Sequence, residues 1–204
     1  HNIATQGKLC IAFTDTHNRA ANGTCLGALL GYRQSWLYRW TLTPHWQLSA
    51  GGGAGANVGG LYYAHNAGNN PANAHLDASL HAAASATYAW RWLRVCLTAE
   101  APLVGVMFAP AYGQSYYEIF TKQQSRNNVV FAHPFNAPTL RTLLTFDFHI
   151  PTLMPHKRAR HSHLGTLRIA YGADILQSTP NNLRRHTYLH TAYIGFVRHF
   201  KAVR

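Results

Sequence analysis

Apolar and polar residues alternate with period 2 along most of this chain, which places successive side chains on opposite faces of extended strands. Between 78 and 92 one face carries Ala78, Leu80, Ala82, Ala84, Ala86, Tyr88, Trp90 and Trp92, and the other carries Ser79, His81, Ser85, Thr87 and Arg91. Between 46 and 63 Trp46, Leu48, Ala50, Ala54, Ala56, Val58 and Tyr62 oppose Gln47, Ser49, Gly51, Gly53, Gly55, Asn57 and Gly59. So many glycines argue against a helix there. Leu93, Val95, Leu97, Ala99, Ala101, Leu103 and Met107 oppose Arg94, Cys96, Thr98 and Glu100. Further on, Leu140, Leu144, Phe146, Phe148 and Ile150 oppose Arg141, Thr145, Asp147 and His149, and Leu167, Ile169, Tyr171, Ala173 and Ile175 oppose Arg168 and Asp174. Less regular segments at 3–14, 26–40 and 186–200 bring the count to eight.

Strands of about 10 residues with one continuous apolar face are longer than the usual soluble strand of about 5 to 6, and match the length that crosses a bilayer. The pattern predicts an all-β chain: an antiparallel up-and-down transmembrane β-barrel of eight strands in a single domain, 1–204. Short connections near 41–45 and 92–94 fall on one side, and long ones near 15–25, 64–77, 110–138 and 177–185 on the other. That asymmetry is the habit of outer-membrane barrels. The long basic connection 151–164 breaks the rule. Trp36, Trp40, Trp46, Trp90 and Trp92, with Tyr38 and Tyr88, gather at the short turns, where an aromatic belt would meet lipid headgroups. Ordinary packing in a soluble barrel is the competing reading of those rings.

Composition fits the same picture. Only 12% of residues are charged, about half the share of an average soluble domain, so water is a poor match for the whole surface. No apolar run approaches the ~20 residues of a membrane helix. Eighteen Lys and Arg stand against six Asp and Glu, a formal +12 that favours an anionic partner. The chain starts at His1 without Met or an apolar leader, so a signal peptide has been removed or was not included. Cys10, Cys25 and Cys96 lack metal-ligand spacing and read either as isolated thiols or as a Cys10–Cys25 bridge with one left over.

Three blocks, APLVGVMFAPAYGQSYYEIF (101–120), AGNNPANAHLD (67–77) and NNLRRHTYLHTAYIGFVRHF (181–200), resemble the recurrent segments of a Bacteroidales family known only as a domain of unknown function. The resemblance spans most of 22–200. It implies a secreted outer-membrane barrel and carries no assigned activity or catalytic residues.

An eight-stranded barrel is just wide enough for its own side chains, so inward polar residues must satisfy one another. Arg33, Asp77, Arg94, Glu100, Arg141, Asp147, Arg168 and Asp174 are the expected lumen network; a proton or ion path is the alternative use of the same residues. The long connection 110–138 holds Ser115, Glu118 and His133, the residue types of an acyl hydrolase, or else simply an aromatic loop folded over the barrel mouth. His186 and His190 would lie about 13 Å apart on a strand, too far to share a metal. His161 and His163 lack supporting ligands, so no metal and no cofactor is expected. Lys122, Arg126, Arg184 and Arg185 are candidates for contact with lipid phosphates, lipopolysaccharide included, while His156, Lys157, Arg158 and Arg160 would face the other side of the membrane. Nucleic acid is not expected, because the aromatics alternate with Ala and Leu and not with Lys and Arg. The sequence therefore predicts a filled outer-membrane barrel with a structural or interaction role in the bacterial envelope, with other envelope proteins as candidate partners in a larger outer-membrane complex, and an acyl hydrolase as the alternative.

Overall fold

The computed structural model describes residues 2–18, 23–64, 72–110, 114–122, 127–149, 165–182 and 184–197. It is one antiparallel sheet of nine strands: β1 (Ile3–Asn18), β2 (Gly23–Thr41), β3 (Trp46–Ala64), β4 (Ala72–Ala89), β5 (Leu93–Phe108), β6 (Val129–Ala132), β7 (Thr139–His149), β8 (Thr166–Ser178) and β9 (Arg185–Val197). Among the described residues one short α-helix, α1 (Tyr116–Phe120), lies between β5 and β6, and a 3-10 turn (Pro180–Asn182) precedes β9. Strands neighbour one another in chain order, except that β6 and β7 share one side of β5. Val129–Ala132 pairs with Gly105–Phe108, and Arg141–Phe148 pairs with Leu93–Glu100. Nine strands thus occupy eight positions, the sixth broken by the turn at 133–138. Among the described residues β1 pairs only with β2, and β9 only with β8.

Alternation determines which face each side chain takes, and long-range contacts show that the sheet is curled into a half-barrel. In a flat sheet β1 and β5, four spacings apart, would be separated by about 19 Å. Yet the Lys8 ammonium on β1 binds the Glu100 carboxylate on β5. Such a contact requires that both residues face a concave side that closes across them.

The two faces are inverted relative to a soluble sandwich. Buried residues on or near the concave side are mostly polar: Ser35, Ser49, His81, Thr98, Glu100, Arg141, Thr145, Asp147 and Thr166, with Leu37, Ala83 and Ala170 among them. The convex side is apolar and exposed, with Leu9, Ile11, Phe13, Leu26, Leu30, Tyr32, Leu80, Leu97, Ile169 and Tyr171 along its strands. Phe13 and Ile194 are each 81% exposed.

One expectation fails at a β-bulge. The register of β4 against β5 shifts between Leu80 and His81, so His81 faces Pro102, Leu80 faces Val104, and Leu103 is the extra residue. Pro is tolerated at such a bulge. Beyond it the alternation changes phase: Val106 is exposed on the convex side, whereas Met107, predicted to be outward, lies opposite inward Asp77. Ile150 and the connection 151–164 with its basic residues lie outside the described residues.

Candidate functional site

The concave face is organised in cross-strand rows. Glu100 on β5 sits opposite Arg141 on β7, and Arg141 opposite Asp174 on β8. A second row runs Arg94, Asp147, Arg168. Within it Arg168 donates two bonds to Asp147, Nε to Oδ1 at 2.6 Å and Nη2 to Oδ2 at 2.8 Å. This bidentate geometry is the strong form of an Arg–carboxylate contact. Arg94, though opposite Asp147 in register, has an exposed side chain. Near the other end Asp77 accepts a bond from Asn57 Nδ2 at 2.8 Å and is 3.0 Å from His75 Nε2.

The centre of the face is the cluster around Glu100, which is only 2% exposed. Lys8 donates to Oε1, and Arg33 Nε stands 3.3 Å from Oε2. Burying a carboxylate costs several kcal/mol unless it is paired, and here two cations reach it from strands on the opposite wall. Beside it Ser35 Oγ and His81 Nε2 are 2.8 Å apart, joining β2 to β4 across the intervening β3. They can meet because the residue between them in register is Gly53. A Cβ there would collide with the Gln34 carbonyl and lie 2.8 Å from His81 Nε2.

A serine within hydrogen-bond reach of a histidine is the first half of a hydrolytic triad. Among the described residues the second half is missing, because His81 Nδ1 has no hydrogen-bond partner there. With Ser35 2% and His81 3% exposed, the pair is also shut away from substrate. What this arrangement does chemically is hold three strands together and fill the concavity.

The hydrolase residues proposed from sequence are not assembled into a site. Ser115 is the N-cap of α1: its side chain accepts from the Glu118 amide at 3.2 Å, while the Glu118 carboxylate accepts from the Ser115 amide at 3.1 Å. Both side chains are engaged in this capping box. His133 belongs to the turn that follows β6, where its Nδ1 accepts from the Phe135 amide and its ring packs against Phe131 and Phe135. No hydrogen bond joins His133 to Ser115 or Glu118 among the described residues.

Nor does α1 close the mouth. Tyr116 and Phe120 stack on Phe108, and the Tyr116 hydroxyl accepts from the Ala74 amide at 2.7 Å. Ala74 lies on the stretch of β4 that runs past the end of β5, so the helix covers an otherwise open backbone edge. At the same end Asn181 donates to the carbonyls of Ala109 and Asn127, tying the last turn to the long connection. Asn127 and Asn181 both have positive φ, which Asn accepts more readily than most residues.

Lys122 follows α1, exposed, its ammonium 5.9 Å from the centre of the Tyr117 ring. Arg184 is exposed before β9; Arg126 and the Arg185 side chain lie outside the described residues. Trp36, Trp40, Trp46, Trp90 and Trp92 are exposed around the two short turns, with Tyr38 against Trp40, Trp46 against Tyr88, and Trp90 against Trp92. All three cysteines are free, so no Cys10–Cys25 bridge forms. No group of three or more His, Cys, Asp or Glu suited to a metal ion occurs among the described residues.

Sequence reasoning missed Lys8, Ser35 and His81 as members of the central cluster. The short turns carried the missing signal, since their hairpin registers align Ser35, Gly53 and His81 in one row.

No curated protein and no solved structure matches the chain. A family profile described as a protein of unknown function, DUF3316, matches residues 1–204, and the chain belongs to that family.

Proposed function

We propose that this protein is an outer-membrane β-barrel of a Gram-negative bacterium, with a lumen filled by its own side chains and a structural or interaction role in the envelope. The observation that carries this reading is the inversion of polarity: a convex face of exposed Leu, Ile, Phe, Tyr and Trp around a concave face of paired charges. In water so large an apolar face would drive association. Against lipid it is the stable arrangement, provided every backbone group is paired within a closed sheet.

Strand lengths of 11 to 19 residues in the eight main positions suffice to cross a hydrocarbon core, with the longer ones projecting beyond it. The Trp-rich short turns then lie at one interface and the long connections with α1 at the other. Lys8, Arg33 and Glu100 bridge the lumen at mid-height, which favours a plug of side chains over an open channel.

Cell fractionation and gel migration test the reading together. The protein is expected in the outer-membrane fraction, resistant to carbonate extraction, and the unheated form is expected to migrate faster in detergent gels than the boiled one. Recovery in a carbonate-soluble fraction with no heat-dependent shift would overturn it.

A further inference from the structure

The ion cluster at mid-height of the concave face is firmly bonded on one side only. Lys8 on β1 holds Oε1 of Glu100, whereas among the described residues Oε2 accepts no hydrogen bond and the Arg33 Nε, 3.3 Å from it, donates none. Directly opposite Glu100 on β7 stands Arg141, 9% exposed, which forms no ion pair among the described residues. Asp174, opposite Arg141 on β8, forms none among them either. Residues opposite each other on adjacent strands have Cβ atoms about 4.5–5.5 Å apart, so a turn of the Glu100 side chain brings its carboxylate to the Arg141 guanidinium. β3 adds no bulk to the lumen at this level, since Gly53 and Gly55 stand where it faces Ser35 and Arg33. The link across the concavity is made by long side chains alone.

We infer that Glu100 is a switch between two walls of the lumen, and that the barrel passes small anions when it turns. In the structure Glu100 is tied to Lys8 and faces Arg33, and the three side chains close the path between the walls. Paired with Arg141 instead, it withdraws to the wall of β5 and β7 and leaves Lys8 and Arg33 without their anion on the facing wall. A passage lined by two uncompensated cations favours chloride over potassium. The exchange replaces one contact between a carboxylate and a cation by another of the same kind, so neither state is prohibitive. This rests on the membrane reading above, with the sheet closed between β1 and β9.

The test is single-channel recording from the full chain, refolded in detergent and inserted into planar phosphatidylcholine bilayers across a potassium chloride gradient. The wild type is expected to show brief openings from a closed baseline, with a reversal potential on the chloride side. Lys8→Gln, which weakens the closed pairing while Arg33 remains, should raise the ratio of open to closed time by about tenfold, the effect of losing one charge-assisted hydrogen bond. Lys8→Arg should keep wild-type gating. Arg141→Gln, which removes the second partner, should suppress the openings. Each preparation is first checked for the heat-dependent gel shift, so that folded protein alone is scored. Silence in both wild type and Lys8→Gln, a reversal potential on the potassium side, or unchanged openings in Arg141→Gln overturns the switch while leaving the membrane reading intact. Absence of the shift in the wild type overturns the membrane reading itself.

Discussion

Single residues decide whether the concave face holds together, and Gly53 is the clearest case. Gly53→Val would force a side chain into the space where Ser35 meets His81, and is expected to destabilise the protein by about 1–3 kcal/mol in urea titrations in micelles. Gly195→Ala is the matched control: a Cβ there meets nothing within 4 Å, so its effect should stay within about 0.5 kcal/mol. Glu100→Gln removes the charge on which Lys8 and Arg33 converge, and is expected to cost about 3–5 kcal/mol in the same titration. A neutral outcome for Glu100→Gln would mean that the two cations find other anions. Much at this scale was legible in sequence. Asp147 and Arg168, or Glu100 and Arg141, stand on polar faces because alternation puts them there. Met107 was misplaced because a bulge changes the phase of alternation, and a bulge leaves no periodic trace beyond the Pro102 that marks it.

At the scale of elements, the strand positions were readable because each has a long alternating run, whereas β6 has four residues and α1 five, too few to show a period. Ser115 was visible as a polar residue in the long connection, but its capping role depends on the helix that follows. Ser115→Ala should therefore cost about 1 kcal/mol of local stability, read as faster amide exchange over Tyr116–Phe120. The outer edges of β1 and β9, unpaired among the described residues, carry a stronger consequence. One row of paired residues runs Ile3, Tyr38, Ala50, Ala84, Ala99, Thr142, Ala173, His190. Closing eight positions at the usual strand tilt staggers such a row by about 8 to 10 residues on its return to β1. In such a closed barrel His190 would lie beside Ile11 or Phe13, and β9 would run along β1 for its whole length. In a chain whose native cysteines are replaced by Ser, cysteines at 190 and at 11 or 13 should form an intramolecular disulfide, and cysteines at 190 and 3 should not. Crosslinks that appear only between molecules would show instead that two copies pair edge to edge.

For the whole molecule, sequence and structure agree on the inverted polarity because the same alternation produces both. The curl became visible only through contacts such as Lys8 with Glu100, whose partners are far apart in the chain. The low share of charged residues and the excess of Lys and Arg now have different places: the acids mostly lie on the concave face, while Lys122 and Arg184 stand exposed at the long-connection end. The proposed arrangement puts lipid against the convex face and the protein's own polar side chains within the concave one. Nitroxide scanning of β8 from Leu167 to Gln177 in phospholipid vesicles tests it most directly. High oxygen accessibility is expected at Ile169, Tyr171 and Ile175 and low accessibility at Arg168, Ala170, Gly172 and Asp174, alternating residue by residue. Uniform exposure to a water-soluble relaxant along the strand, or alternation in the opposite phase, would contradict it.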